Sequence, residues 1–185
     1  MLNLSKSLFF ALFTLLIFSG CKNDDEEIVP RSEISFDGAT YELANGLLID
    51  YGQYSKSEGN QQVLFLYSSG ITIHGAEGEI DSTSGKGHAV YFEIYSPVSN
   101  VLGDGAYAFD NSSTFLSKTF GGFSYIVLNA DYITSGGEVH AIIAGKVTVK
   151  KVGDIYDISF DCVEGSDGKK ISGFYHGALK FYDAK

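Results

Sequence analysis

Tryptophan is absent from the 185 residues, and cysteine occurs only at Cys21 and Cys162. Two cysteines are too few for the disulfide framework of a small secreted scaffold, so the fold must depend on a hydrophobic core. Cys162 continues an apolar alternation with Ile158 and Phe160. A cysteine on such a face is usually a buried small hydrophobe, so we predict no nucleophile there.

Basic residues are also scarce, with 13 Lys and Arg against 23 Asp and Glu and a formal net charge of −10. A chain this acidic lacks the electrostatic footprint of a nucleic-acid-binding protein, so a nucleic-acid partner is excluded. No cofactor is predicted either. Residues 82–88 (STSGKGH) approach a phosphate-binding loop, but that motif needs Ser or Thr after its lysine, and here Gly87 follows Lys86. We predict a flexible loop for this segment.

Residue types that bind metals or activate nucleophiles do not cluster in the sequence. The acidic loop ends at 104–110, 131–138 and 164–168 lack the oxygen spacing of a calcium loop. Ser124 lacks the second glycine of a nucleophile elbow. We therefore predict no metal site and no catalytic residue. The histidines are scattered singly, with no His-x-His or His-x-x-x-His pair, at His74, His88, His140 and His176.

The apolar segment at residues 8–18, interrupted only by Thr14, is too short to be a permanent membrane span. A helix of that length reaches about 17 Å, against a hydrocarbon core of about 30 Å. Lys6 precedes the segment and Ser19-Gly20 close it, which is typical of a secretory signal. We predict that residues 1–20 are cleaved, which leaves 165 residues (185 − 20).

The end of this signal, LIFSGC (16–21), resembles the bacterial lipoprotein box, with Phe18 where leucine is usual. The resemblance implies a diacylglyceryl thioether on Cys21 and an acyl group on its freed amine. Two or more fatty chains anchor a protein durably, whereas one holds it only marginally. The alternative is an ordinary secretory signal with a chance cysteine after the cut.

An acidic segment, KNDDEE (22–27), follows Cys21 directly. Like charges repel one another and stay solvated, so residues 21–32 are predicted to be a lipidated tether. Lysine followed by acids at this place also resembles the surface-export signal of Bacteroidetes-type lipoproteins. That resemblance implies an outer-membrane protein that faces the cell exterior rather than the periplasm. The residues that carry the signal are Lys22, Asp24, Asp25, Glu26 and Glu27.

Residues 33–185 are predicted to form a single all-β domain, because apolar residues recur with period two and no window shows a helical stripe. Asp37-Gly38 and Asn45-Gly46 are strong hairpin-turn signals. We predict an antiparallel β-sandwich or barrel-like meander of about ten strands. Besides short pieces within 33–52, strands are predicted at 61–67, 70–74, 88–96, 105–110, 122–130, 138–152, 155–163 and 169–183.

A two-residue turn at Gly153-Asp154 sets the register of the hairpin around it. It pairs Lys150 with Asp157 on one face and Val147 with Phe160 on the other. A slip by one residue would turn every apolar side chain to water. The following strand is predicted to present one apolar face, formed by Ile171, Gly173, Tyr175, Gly177, Leu179 and Phe181.

Aromatic segments are the remaining candidates for ligand binding. YFEIY (91–95), YITSG (132–136) and FYHG (174–177) carry rings that can stack on sugars, although alternating aromatics in strands more often form core. DST (81–83) resembles a short acceptor motif for O-glycans in Bacteroidetes-type proteins, which implies a sugar on Ser82 or Thr83.

Three longer segments, at 45–52, 90–110 and 156–183, make the mature chain similar to the small β-rich outer-membrane or surface lipoproteins of Bacteroidetes-type genomes. This resemblance implies fold and location and carries no activity. We predict a lipid-anchored, non-catalytic binding or accessory module of the bacterial envelope, with an outer-membrane protein or a glycan as partner. Two alternatives stay open: a hydrolase acting on glycans through carboxylates assembled by the fold, and a β-barrel carrier of a small apolar ligand.

Overall fold

The computed structural model describes residues 29–53, 58–75 and 80–185, which form one mixed sheet of 13 strands. Helices are absent from these residues, so the all-β prediction is confirmed. The strands are β1 (Glu33–Phe36), β2 (Ala39–Glu42), β3 (Asn45–Gln53), β4 (Asn60–Tyr67), β5 (Ile71–His74), β6 (Ser82–Ser96), β7 (Gly105–Phe109), β8 (Thr119–Phe120), β9 (Tyr125–Asp131), β10 (Gly136–Val152), β11 (Ile155–Glu164), β12 (Lys170–Gly177) and β13 (Leu179–Asp183).

The strand order is β13-β3-β4-β6-β8-β7-β10-β11-β12-β1-β2, with β5 paired to β6, and β9 between β6 and β10. Two pairs, β13 with β3 and β7 with β8, are parallel, so the prediction of a wholly antiparallel sheet is wrong there. The first of these pairs follows from the chain path. Only Ala178 separates β12 from β13, so the chain continues along one strand while its neighbour changes from β1 to β3.

Two of the three predicted turns are present. Asp37-Gly38 and Gly153-Asp154 are turns, and Asp37, Gly38 and Gly153 have φ of 50°, 79° and 62°, the left-handed conformation that tight hairpins need. The turn predicted at Asn45-Gly46 is wrong, because both residues open β3. Gly46 serves close packing instead, since a Cβ there would lie 2.3 Å from Leu179 Cδ2.

The flexible loop predicted at 82–88 is wrong as well, because this segment is the first half of β6. Gly85 pairs with Ile71 of β5, and Lys86 pairs with Asp131 of β9. Glycine is required at this crossing, since a Cβ on Gly85 would lie 2.1 Å from the carbonyl oxygen of Gly70. The glycines that suggested mobility therefore let two strands approach closely.

The β10–β11 hairpin has the predicted register, with Lys150 opposite Asp157 and Val147 opposite Phe160. Val147 and Phe160 are buried, as is Cys162 at 1% exposure. Cys162 carries a free thiol, and burial raises the pKa of that thiol to about 12. The prediction that Cys162 is a buried residue of the core is confirmed.

The acidic side chains of β11 form their ion pairs with residues of β12 rather than with the lysines of β10. Asp157 Oδ1 lies 2.6 Å from His176 Nδ1, and Asp161 Oδ2 lies 3.0 Å from Lys170 Nζ, both on β12. These ion pairs run across β11 and β12 because β11 is hydrogen-bonded on both sides. A register deduced from two strands identifies opposite residues but not which neighbouring strand supplies the counter-charge.

The hydrophobic core is formed by the apolar side chains that alternate along the strands and point to the same face of the sheet. Phe92 packs edge-on against Phe120 and Phe160, with ring centroids 5.6 and 5.4 Å apart. The face predicted for the last strand is wrong at Phe181, which is 39% exposed, whereas Tyr182 is buried. β13 pairs with β3 alone and ends the strand order, so Phe181 has a strand neighbour on only one side.

Candidate binding cleft

A cleft opens where β6 and β10 change their pairing partners. β6 pairs with β9 through its first half and with β8 near its end, and Glu93 falls between the two. β10 likewise changes from β9 to β7, and a β-bulge at Ile142 lies in the same gap. Bulges of this kind bend a strand and re-aim side chains, which is why they are frequent beside functional sites.

We call this opening the Glu93 cleft. Its volume is about 450 Å³, within the range of small-molecule sites. Side chains from β4, β6 and β10 form one side, and the loops at 110–118 and 121–124 form the other. Among the described residues that line it, none is lysine, arginine or histidine.

Glu93 forms the floor of the cleft and is 9% exposed. Its Oε1 accepts hydrogen bonds from Gln61 Nε2 at 3.1 Å and from the Tyr95 hydroxyl at 3.0 Å. Its Oε2 has no hydrogen-bond partner among the described residues, and a Cβ on Gly121 would lie 2.4 Å from this oxygen. One carboxylate oxygen therefore has two donors, while glycine at position 121 makes room for the other oxygen.

Burial raises the pKa of Tyr95, and the adjacent Glu93 carboxylate raises it further. The phenol therefore stays protonated and continues to donate to Glu93. Its ring packs against Phe115, with centroids 5.1 Å apart. This single side chain both orients the carboxylate and contributes to the aromatic wall.

Ser124 fixes the loop that faces Glu93. Its hydroxyl donates to the Gly121 carbonyl oxygen at 2.8 Å and accepts from the Glu93 backbone N–H at 3.1 Å. The Gly121 N–H in turn donates to the Glu93 carbonyl oxygen at 2.7 Å. These bonds replace the strand pairing that is missing on the side of Glu93 away from β4 and connect the loop to the floor of the cleft.

The mouth of the cleft is apolar. Phe123 is 76% exposed and Ile143 is 49% exposed, and both line the opening. Exposed aromatic side chains at the rim of a concave site supply contact area at low entropic cost when a ligand binds. The cleft therefore combines an apolar entrance with a charged floor.

Asp110 lies at the rim and organises the loop that follows β7. Its Oδ1 accepts from the Ser112 N–H at 2.8 Å, and its Oδ2 accepts from the Thr114 hydroxyl at 3.0 Å. Hydrogen bonds from Ser112, and then from Thr114, hold the pKa of Asp110 below its usual value. Within this loop Ser113 and Phe115 have φ of 58° and 51°, which is uncommon for residues other than glycine.

Of the two carboxylates that line the cleft, Asp110 does not suit the role of a proton donor. Hydrolysis of a glycosidic bond needs one carboxyl group with a raised pKa to act as general acid. The pKa of Asp110 is lowered rather than raised, and the oxygens of Asp110 already accept the hydrogen bonds that hold a turn. Glu93 is instead placed to receive a hydrogen-bond donor from a ligand.

The other strongly perturbed carboxylates stabilise turns. Hydrogen bonds from the Asp167 N–H and from Ser166 lower the pKa of Glu164 to about 2. The Lys86 ammonium, 2.7 Å away, and the Ile133 N–H lower the pKa of Asp131 to about 2. Both groups have partners from this chain, so neither points to a ligand.

A second recess, of about 650 Å³, lies beside β3 and β13. The acids among its described lining residues, Asp81 and Asp183, are both exposed to solvent, and Lys185 Nζ lies 3.6 Å from Asp183. This recess is larger than the Glu93 cleft, but none of the described residues that line it is a buried carboxylate. We therefore place the candidate site at Glu93.

Most residues singled out in the sequence lie away from the cleft. Cys21 and the acidic segment 22–27 fall outside the described residues. Ser82 is exposed and Thr83 is half-buried, both at the start of β6, where they pair with β5 rather than lying in a loop. In the part of the chain that the structure describes, no three His, Cys, Asp or Glu side chains group as metal ligands.

The histidines lie on four different strands, and the rings of His74, His88 and His176 form hydrogen bonds within the chain. His88 Nδ1 accepts from the Asn129 N–H at 3.1 Å, and His74 Nε2 lies 2.6 Å from Ser84 Oγ. Burial lowers the pKa of His88, which keeps its ring neutral. Its role is to join β6 to β9.

Glu93 was not singled out by sequence reasoning, although the aromatic segment 91–95 that contains it was. The available signal was an acid on the polar side of an alternation whose neighbours on that side are Tyr91 and Tyr95. No family model, curated protein or solved structure matches the chain. Across residues 29–53, 58–75 and 80–185, no helix has the length and apolarity needed to cross a membrane.

Proposed function

We propose that this chain is a lipid-anchored, non-catalytic binding module of a bacterial outer membrane, facing the cell exterior, and that it binds its ligand in the Glu93 cleft. The lipoprotein box ending at Cys21 and the acidic segment 22–27 support the location. The observation that carries the binding role is the cleft itself, in which a buried carboxylate, with one oxygen that has no hydrogen-bond partner among the described residues, lies beneath exposed apolar side chains.

A glycan hydrolase is the second candidate, because Glu93 and Asp110 both line the cleft. The lowered pKa of Asp110 argues against Asp110 as the general acid, and its oxygens already hold a turn, so this candidate is the weaker one. Loss of glycan cleavage in both Glu93→Gln and Asp110→Asn would favour it over binding.

A carrier of a small apolar ligand would need an open interior. We infer that the sheet closes in a barrel-like manner, since Ala178 alone separates the strand paired with β1 from the strand paired with β3. The inward face is occupied by large, fully buried side chains such as Phe92 and Tyr107. This packing favours a ligand site at the Glu93 cleft over one inside the sheet.

The anchor is tested by mass spectrometry of the native protein from its bacterial envelope. We expect residue 21 to be the N-terminus and to carry the added mass of a diacylglyceryl group and an acyl chain. Added protease should digest the domain on intact cells, and Cys21→Ser should release it from the membrane. An unmodified thiol at residue 21 would refute the anchor.

The binding role is tested with the full chain in lipid nanodiscs, offered to solubilised envelope fractions and to a glycan array. We expect Phe123→Ala to weaken capture at least about tenfold, because an exposed aromatic anchor typically contributes about 2 kcal/mol. Val152→Ala is the matched control, since Val152 is 63% exposed on the same strand as Ile143 but at its far end. Equal capture by both variants would refute the cleft as the binding site.

A further inference from the structure

We propose that the ligand of the Glu93 cleft carries an organic ammonium group on an apolar body, with the ammonium hydrogen-bonded to Glu93. This inference rests on the proposed function, because it names the class of ligand for the same cleft. It is carried by the unbalanced charge of the cleft floor.

Glu93 has no counter-charge among the described residues that line the cleft. Within the described part of the chain, its Oε1 receives hydrogen bonds from the neutral groups of Gln61 and Tyr95, and none of the lining residues there is cationic. A buried carboxylate is normally paired with a cation or a metal, because an unpaired charge in a low dielectric is unfavourable. A cationic ligand would supply what the cleft lacks.

The geometry of the carboxylate favours a primary ammonium over a quaternary one. Oε1 already accepts two hydrogen bonds, whereas Oε2 has no partner among the described residues. A primary ammonium has three N–H donors and can give one to Oε2 in a charge-assisted hydrogen bond. A quaternary ammonium has none to give.

The walls suit the same ligand. Tyr95 and Phe115 present neighbouring rings beside the carboxylate, and Phe123 adds a third at the mouth. A cation within about 6 Å of an aromatic face is attracted by the ring quadrupole. The rings and Ile143 also offer apolar contact for the body of the ligand. Anionic ligands are disfavoured, since Asp110 adds a second negative charge at the rim.

The test compares 2-phenylethylamine with its neutral isostere 2-phenylethanol by calorimetric titration into the full chain in lipid nanodiscs, with empty nanodiscs as the blank. At neutral pH we expect the amine to bind at least about tenfold more tightly than the alcohol, because the two differ in one charge-assisted hydrogen bond. Raising the salt concentration should weaken the binding of the amine and leave the binding of the alcohol unchanged.

Glu93→Gln removes the charge and keeps the size of the side chain and an oxygen to accept from Gln61 and Tyr95. We expect it to abolish the preference for the amine. Asp154→Asn is the matched control, because it removes one exposed charge at the β10–β11 turn, about 30 Å along the strand from Ile143. If Glu93→Gln and Asp154→Asn both lose the preference for the amine over the alcohol, that preference depends on net charge alone and the inference is wrong.

The outcomes separate this inference from the proposed function. If the alcohol or a neutral sugar binds as tightly as the amine and Phe123→Ala weakens that binding, the cleft is a binding site and the ammonium inference is wrong. If neither probe binds and Phe123→Ala leaves envelope capture unchanged, both proposals are wrong. Amine binding that survives in Glu93→Gln would also overturn the inference.

Discussion

Asp50→Ala is expected to lower the free energy of unfolding by about 3–5 kcal/mol, the usual result of breaking a fully buried charged network. Asp50 has no exposed surface, and it joins β3 to the segment after β6. Its Oδ1 accepts from the Gly52 N–H at 2.7 Å, and its Oδ2 accepts from Ser99 at 3.2 Å and from the Asn100 N–H at 2.5 Å. Alanine would leave the buried Gly52 N–H without an acceptor and would remove the acceptor that Ser99 and Asn100 share.

The same network makes this contribution depend on pH. Burial alone would raise the pKa of Asp50, but hydrogen bonds from Asn100, Gly52 and Gln62 outweigh burial and lower the pKa below its usual value of 3.8. A carboxyl group with a lowered pKa in the folded state stabilises the fold fully above its unfolded pKa and loses that contribution as the pH falls. The difference between wild type and Asp50→Ala should therefore be constant above about pH 5 and shrink in more acidic buffer.

Asp183→Ala is the matched control, because Asp183 pairs with Asp50 in the register of β13 and β3 but is exposed. We expect its effect to stay within about 0.5 kcal/mol. Urea titrations followed by circular dichroism would measure both variants across the pH range. A similar decrease in the free energy of unfolding for Asp50→Ala and Asp183→Ala would show that the buried network does not contribute the expected stability.

Gly173→Ala should lower the free energy of unfolding by about 2–3 kcal/mol, as expected when a well-packed core is overfilled. Gly173 lies on β12 between β11 and β1. A Cβ at this position would lie 2.2 Å from Phe160 Cζ and 2.5 Å from the Glu33 carbonyl oxygen. The ring can turn only against the core, and the carbonyl belongs to the neighbouring strand, so one of the two strands must move.

Gly136→Ala provides the comparison on another strand. A Cβ there would meet Thr134 at 3.4 Å and Asp131 at 3.8 Å, which are ordinary contacts. Alanine should be neutral or stabilise by a few tenths of a kcal/mol, because it reduces the freedom of the unfolded chain. Thermal unfolding of both variants tests this, and an equal midpoint for Gly173→Ala and wild type would contradict the packing argument.

Local features of the sequence predicted the β10–β11 hairpin down to its register. The two-residue turn at Gly153-Asp154 fixes which residues face each other, and the alternation fixes which face is buried. Both kinds of information lie within twenty residues of each other along the chain. The sequence is informative wherever neighbours in space are also neighbours along the chain.

The parallel pair of β13 with β3 and the cleft depend on contacts between distant segments. Gly46 looks like a turn residue from its neighbours, and only the approach of Leu179 shows why a side chain is excluded. Glu93 looks like the polar side of a strand, and only the change of partner from β9 to β8 leaves it at the floor of a cleft. These pairings join segments that no local pattern connects.

The parallel contact of β13 with β3 also bears on biosynthesis. Leu48 pairs with Phe181, 133 residues later (181 − 48), so the outer side of β3 stays without its partner until nearly the whole domain has emerged. Contacts this far apart form late, because a long loop must close first. If the chain is exported as proposed, its nascent form carries an open, apolar strand border during export, and we expect it to depend on holding chaperones until its last strand arrives.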